Sequence, residues 1–172
     1  MDPSDAWTII LLIVLLFLSA FFSSAETALT TVGRMKIRSL AEEGNKKAVT
    51  VSRLLKDPTK MLSAILICNN VVNLSASSIS TTFAYRICDQ LGMSHNTSLA
   101  AGIATGVITI LVLIFGEITP KSLATVYAEK LALAYCNIIY FLTQLLTPFV
   151  FIVNIISKGI YLSWIYQYVL HR

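Results

Sequence analysis

Charge is scarce in this chain: of its 172 residues, 13% are Asp, Glu, Lys or Arg while 56% are apolar, and the mean hydropathy is +0.74. Soluble domains carry about 25% charged residues, so a water-soluble globule is excluded and a single all-α integral membrane domain is expected. Cysteine is scarcer still. Cys68, Cys88 and Cys136 are odd in number, widely separated and free of any Cys-x-x-Cys pair, which indicates neither a disulfide framework nor a zinc site. His95 and His171 lie far from each other and from the carboxylate clusters, so no imidazole metal centre is indicated. No nucleophile–base pair or phosphate-binding loop is visible, and we expect no enzymatic activity. Inverted repeats, low-complexity tracts and Pro- or Gly-rich linkers are missing as well.

Long apolar runs fill the chain instead. The first, Trp7 to Phe22, follows Asp2 and Asp5 rather than a basic segment and lacks an Ala-x-Ala cleavage site, so it reads as a retained helix and not a signal peptide. Membrane spans are expected at about 7–31, 59–85 and 98–115. Arg34, Lys36, Arg38, Lys46, Lys47, Arg53, Lys56 and Lys60 all fall between the first two. By the positive-inside rule that segment is cytoplasmic, which assigns the net charge of +4 to topology in a cell membrane and not to nucleic acid. Residues 33–57 read as a helical hairpin turning at Glu42-Glu43-Gly44-Asn45, and Pro58 suits the first turn of the next helix. The Asn96-Thr97-Ser98 acceptor pattern in the outer loop is attributed to chance. A fourth apolar run, Leu131 to Ile156, is interrupted by Pro148; it either crosses the membrane or lies along the inner interface, and its flanking lysines do not decide between the two.

Three polar clusters interrupt the spans: Ser23-Ser24-Ala25-Glu26, Asn69-Asn70-Val71-Val72-Asn73, and Gly116-Glu117-Ile118-Thr119-Pro120-Lys121. A lipid-facing carboxylate costs about 2.5–3.5 kcal/mol or more, so each needs a cavity, a counter-charge or an ion. Ser19, Ser23, Glu26, Thr27 and Thr30 share one helical face; Asn70, Asn73, Ser77, Ser80 and Thr81 share another; Thr105, Thr109, Gly116 and Glu117 mark a third. Counted from the cytoplasmic ends, Glu26, Asn70 and Glu117 fall at depths of about 12, 16 and 18 Å at about 1.5 Å per residue, so the clusters are expected to meet near the midplane. Gly116 and Pro120 are the candidates for a helix break that frees backbone carbonyls. The available ligands are all oxygens, a set suited to Mg²⁺, Ca²⁺, Mn²⁺ or Na⁺. Simpler roles compete: hydroxyls bonded to their own helix, asparagines as interhelical glue, Gly102-x-x-x-Gly106 as a packing notch, and Glu117 paired with Lys121 four residues on.

The run Phe21-Phe22-Ser23-Ser24-Ala25-Glu26-Thr27-Ala28-Leu29-Thr30, the Asn69-Asn70 pair and Gly116-Glu117-Ile118-Thr119-Pro120-Lys121, in that order, resemble the transmembrane domain of the CNNM/CorC family of magnesium transporters. The resemblance covers residues 6 to about 158. It implies a homodimer with three membrane helices per protomer and the amino terminus outside, a cytoplasmic hairpin, and a juxtamembrane belt helix at about 128–156. It further implies Na⁺-coupled export of Mg²⁺ from a pocket drawing on Ser23, Ser24, Asn70, Gly116 and Glu117, with Glu26, Asn69, Asn73, Pro120 and Lys121 in support. Residues 159–172 are expected to be a truncated tail, since the family's nucleotide-binding CBS pair is not in this sequence. The competing expectation is a membrane cation sensor that controls another transporter.

Overall fold

The structure, a computed structural model, describes residues 3–90, 97–153 and 155–156, and every regular element among them is helical. The expectations for the loop around Asn96 and for the tail at 159–172 lie outside the described residues. In chain order the helices are α1 (Pro3–Thr31), α2 (Arg34–Glu42), α3 (Lys46–Leu54), α4 (Pro58–Gln90), α5 (Thr97–Val112), a π-helical segment (Leu113–Ile118), α6 (Thr119–Val126) and α7 (Ala128–Leu145), then α8 (Thr147–Val153).

Among the described residues three helices are long and apolar enough to cross a membrane, Asp5–Thr31, Pro58–Gln90 and Ala101–Val126, and the bent pair Ala128–Leu145 and Thr147–Val153 would be a fourth if it formed one span. Helices suit that setting because they satisfy their own backbone polar groups where no water is available. Lipid offers no hydrophobic drive to bring such helices together, so small side chains that let backbones approach carry the contacts. Ala25 and Ala28 of α1, Ala64, Ala76 and Ala84 of α4, and Ala101 and Ala124 of the third span are all buried. Phe17, Leu74, Ile103, Phe115 and Val126 point outward.

The third span runs to Val126, where the sequence led us to expect its end near Phe115. The π segment is the reason. The Thr119 N–H bonds the Ile114 carbonyl five residues back, which inserts a residue without breaking the helix. Pro120 then falls in the first turn of α6, where a missing N–H is tolerated.

The hairpin forms from local chemistry. Gly44 takes φ +91°, its N–H bonds Ala41 O, and the Asn45 N–H bonds Leu40 O, a pattern that closes α2. Asn45 then caps α3 by accepting from the Lys47 and Ala48 N–H groups. Lys36 pairs with Glu129 and ties the hairpin to α7. The largest buried cluster gathers Leu29 and Val32 of α1, Ile37, Val51, Met61, and Cys136 and Ile139 of α7, at the end of the bundle where the hairpin and α7 pack. The fourth apolar run is bent by 64° between α7 and α8, just before Pro148.

Candidate functional site

α1, α4 and the π segment converge on one small set of polar groups. Ser19 Oγ lies 2.8 Å from Asn73 Oδ1 and 3.3 Å from the Gly116 carbonyl oxygen. That carbonyl is available because the residue four places on is Pro120, which has no N–H to give it. The Ser19 hydroxyl donates to Asn73 Oδ1, with the more distant Gly116 carbonyl as a second acceptor of the same proton. The approach of α1 to the π segment is close here. A Cβ on Gly116 would stand 3.1 Å from Ser19 Oγ and 3.2 Å from Leu16 Cδ1.

A cavity of about 160 Å³ opens beside this contact, with Ser19, Asn73, Ser77, Ser80, Thr109 and Glu117 supplying oxygens. Ala76, Val112 and Leu113 complete its wall. From Asn73 to Ser80 the cavity extends about 10 Å along α4, two helical turns. Ser80 is 1% exposed and its Oγ has no hydrogen-bond partner among the described residues. The same holds for Ser23 Oγ and Asn69 Oδ1 on the neighbouring faces. Each such orphan costs about 1–3 kcal/mol if nothing bonds it.

At one end of the cavity the charges collect. Lys121 Nζ lies 3.0 Å from Glu117 Oε1 and 3.6 Å from Glu26 Oε2, so carboxylates from two helices share one ammonium. All three side chains are about one-third exposed, which leaves them reachable by water.

Not all of the sequence-derived site residues arrive together. Glu117 and Asn73 line the cavity, and Gly116 joins it through Ser19. Ser23 is fully buried one turn along α1. Ser24 faces elsewhere: its hydroxyl donates to Phe21 O, and it lines a separate crevice of about 590 Å³ with Pro120, Tyr127, Lys130 and Tyr135. Asn69 is buried, whereas Asn70, next in sequence, is on the exposed face of α4. Glu26 reaches Lys121 rather than the serines or asparagines. Ser19, Ser77, Ser80 and Thr109 entered the sequence reading only as parts of polar stripes; the stripe periodicity was their signal. Among the described residues no group of three or more His, Cys, Asp or Glu side chains gathers, so hydroxyl, amide, carbonyl and carboxylate oxygens make up the donor set.

Comparison with known proteins places the sequence in a family. A family model described as the cyclin M transmembrane N-terminal domain matches residues 10–164. A UPF0053 protein of Haemophilus influenzae is 40% identical over 151 residues, covering 88% of this chain and 34% of the relative. The UPF0053 inner membrane protein YfjD of Escherichia coli is 37% identical over 141 residues, 82% of this chain and 31% of the relative. A second Haemophilus influenzae protein, named polyamine export protein, is 29% identical over 156 residues, 88% of this chain and 36% of the relative. The chain thus spans about a third of the length of these relatives.

Proposed function

This chain belongs to the cyclin M transmembrane family, the CNNM/CorC type, and we propose that it is the membrane-embedded part of a carrier that exports Mg²⁺ in exchange for Na⁺. The observation that carries this reading is the meeting of Ser19, Asn73 and the Gly116 carbonyl beside Glu117, on three apolar helices, around a cavity of about 160 Å³. Hard oxygens with one carboxylate suit a hard divalent cation. A neutral stretch of hydroxyls, Ser77, Ser80 and Thr109, suits a monovalent ion that needs no full counter-charge. A π turn in the helix that presents the site is an irregularity frequent at functional sites.

The basic residues between Arg34 and Lys60 support a cytoplasmic hairpin and an outer amino terminus in a cell membrane, and the Lys36–Glu129 pair that holds α7 to that hairpin supports α7 as a belt at the inner face. Asn70 supports a homodimer: an amide on the open face of an apolar helix is costly against lipid and finds partners against a second copy.

A second reading follows from the cavity walls. Its length, its partly apolar wall of Ala76, Val112 and Leu113 and its single carboxylate also fit a short organic polycation, and one relative is named for polyamine export. One assay separates these readings from a sensor that moves nothing. The full-length protein in proteoliposomes, with an imposed Na⁺ gradient, is expected to move Mg²⁺ and to lose that flux on Glu117→Gln. Movement of a diamine without Mg²⁺ would select the second reading, and no flux of either would select the sensor.

A further inference from the structure

Lys121 stands where an incoming cation would have to bind. Its ammonium is 3.0 Å from Glu117 Oε1, on the π segment one turn back, and 3.6 Å from Glu26 Oε2 on α1. Glu117 is also the carboxylate that lines the cavity. A cation that reaches Glu117 therefore meets a charge already paired, by a competitor that cannot diffuse away. An intrahelical pair four residues apart needs no third partner, yet here a second carboxylate from another helix waits within reach. The ammonium is a compact charge on a flexible four-carbon stem, and the Lys121 side chain is 37% exposed, so it has room to move between the two anchors.

We propose that Lys121 is a tethered counter-cation: the transported divalent ion displaces its ammonium from Glu117, the ammonium stays on Glu26, and it returns to Glu117 as the ion leaves. This rests on the carrier reading above and adds how that carrier releases its ion and returns empty. Bound, the ion takes the carboxylate. Empty, the ammonium takes it back, so Glu117 never faces the membrane interior as a bare charge. Because the competitor is covalently held, its effective concentration at Glu117 is high and it hastens ion release. Lys121 is thus a positioning residue, acting on the ion through Glu117 and not by ligating it.

The test uses the full-length protein, with Mg²⁺ binding measured by calorimetry in nanodiscs and Mg²⁺ flux in proteoliposomes. Lys121→Met is expected to tighten Mg²⁺ binding about tenfold, equivalent to about 1.4 kcal/mol of competition removed. The same variant is expected to lower KM while lowering the maximal rate, since release slows and the empty site is left charged. Lys121→Arg, which keeps the charge, is expected to cause no such tightening. Glu26→Gln leaves the ammonium only Glu117 to hold and is expected to weaken Mg²⁺ binding several-fold. A folded Lys121→Met with unchanged or weaker affinity overturns the tether while leaving the carrier intact. Should Lys121→Met fail to fold, an unchanged affinity in Glu26→Gln overturns it equally. Absence of Mg²⁺ binding in the unmutated protein overturns the carrier reading itself, and the tether with it.

Discussion

Gly116→Ala probes the point where three helices meet. Any Gly→Ala change inside a helix gains about 0.8–1 kcal/mol of propensity, so the contact must be judged against a glycine with the same gain and no neighbours. Gly106 provides it: a Cβ there meets nothing within 4 Å. At Gly116 the added methyl would stand 3.1 Å from Ser19 Oγ, 3.2 Å from Leu16 Cδ1 and 3.3 Å from Ser19 Cβ. These atoms belong to α1, which is packed against α4, α6 and α7 and cannot simply retreat. Overpacking of this kind costs about 1–3 kcal/mol. Gly116→Ala is therefore expected to be less stable than Gly106→Ala by about that amount in thermal unfolding followed by circular dichroism. Any retreat of α1 lengthens the Ser19 contacts to Asn73 and Gly116 O, so Mg²⁺ binding is expected to weaken as well. Adding Leu16→Ala, which removes one of the clashing atoms, is expected to recover part of the stability. Equal melting temperatures and equal Mg²⁺ isotherms for the two alanine variants would refute the idea that close approach at Gly116 builds the site.

Ser80→Ala replaces a buried hydroxyl that has no protein partner, so stability is expected to hold or rise by about 1 kcal/mol in the same unfolding assay, while Na⁺-driven flux falls. Gly44→Ala puts a side chain at φ +91° and is expected to destabilise the hairpin by about 1–2 kcal/mol, read as faster amide exchange in α2 and α3 with the spans unaffected. Asn70→Val removes the exposed amide of α4 and is expected to shift the protein toward monomer in detergent, measured by light scattering, with the monomer fold retained.

Much of the architecture was legible because membrane spans and hairpin turns have strong local signals. Apolar length marked the three candidate spans, and the turn read at Glu42-Glu43-Gly44-Asn45 is where the structure ends α2 at Gly44 and caps α3 with Asn45. The Glu117–Lys121 pair was visible as an i,i+4 spacing, but its third member was not, since Glu26 lies on another helix. Asparagines at 69, 70 and 73 occupy too wide an arc for sequence to tell which faces in, and in apolar helices neither lipid nor core marks a face. The structure buries Asn69, brings Asn73 to Ser19 and turns Asn70 outward. Gly116 and Pro120 read as a break because both oppose an α-helix; a π turn accommodates both and carries the span on to Val126. Such a turn has no residue signature of its own, as it depends on what the facing helix offers, here a serine hydroxyl for the freed Gly116 carbonyl.

The most direct measurement is a Mg²⁺ titration of the full-length protein in nanodiscs, unmutated beside Glu117→Gln. Saturable binding that weakens at least tenfold in the variant, a loss of about 1.4 kcal/mol or more, is the expected result and places the ion at the carboxylate that closes the cavity. Identical isotherms for the two proteins, or no binding in the unmutated one, would contradict a cation site between α1, α4 and the π segment.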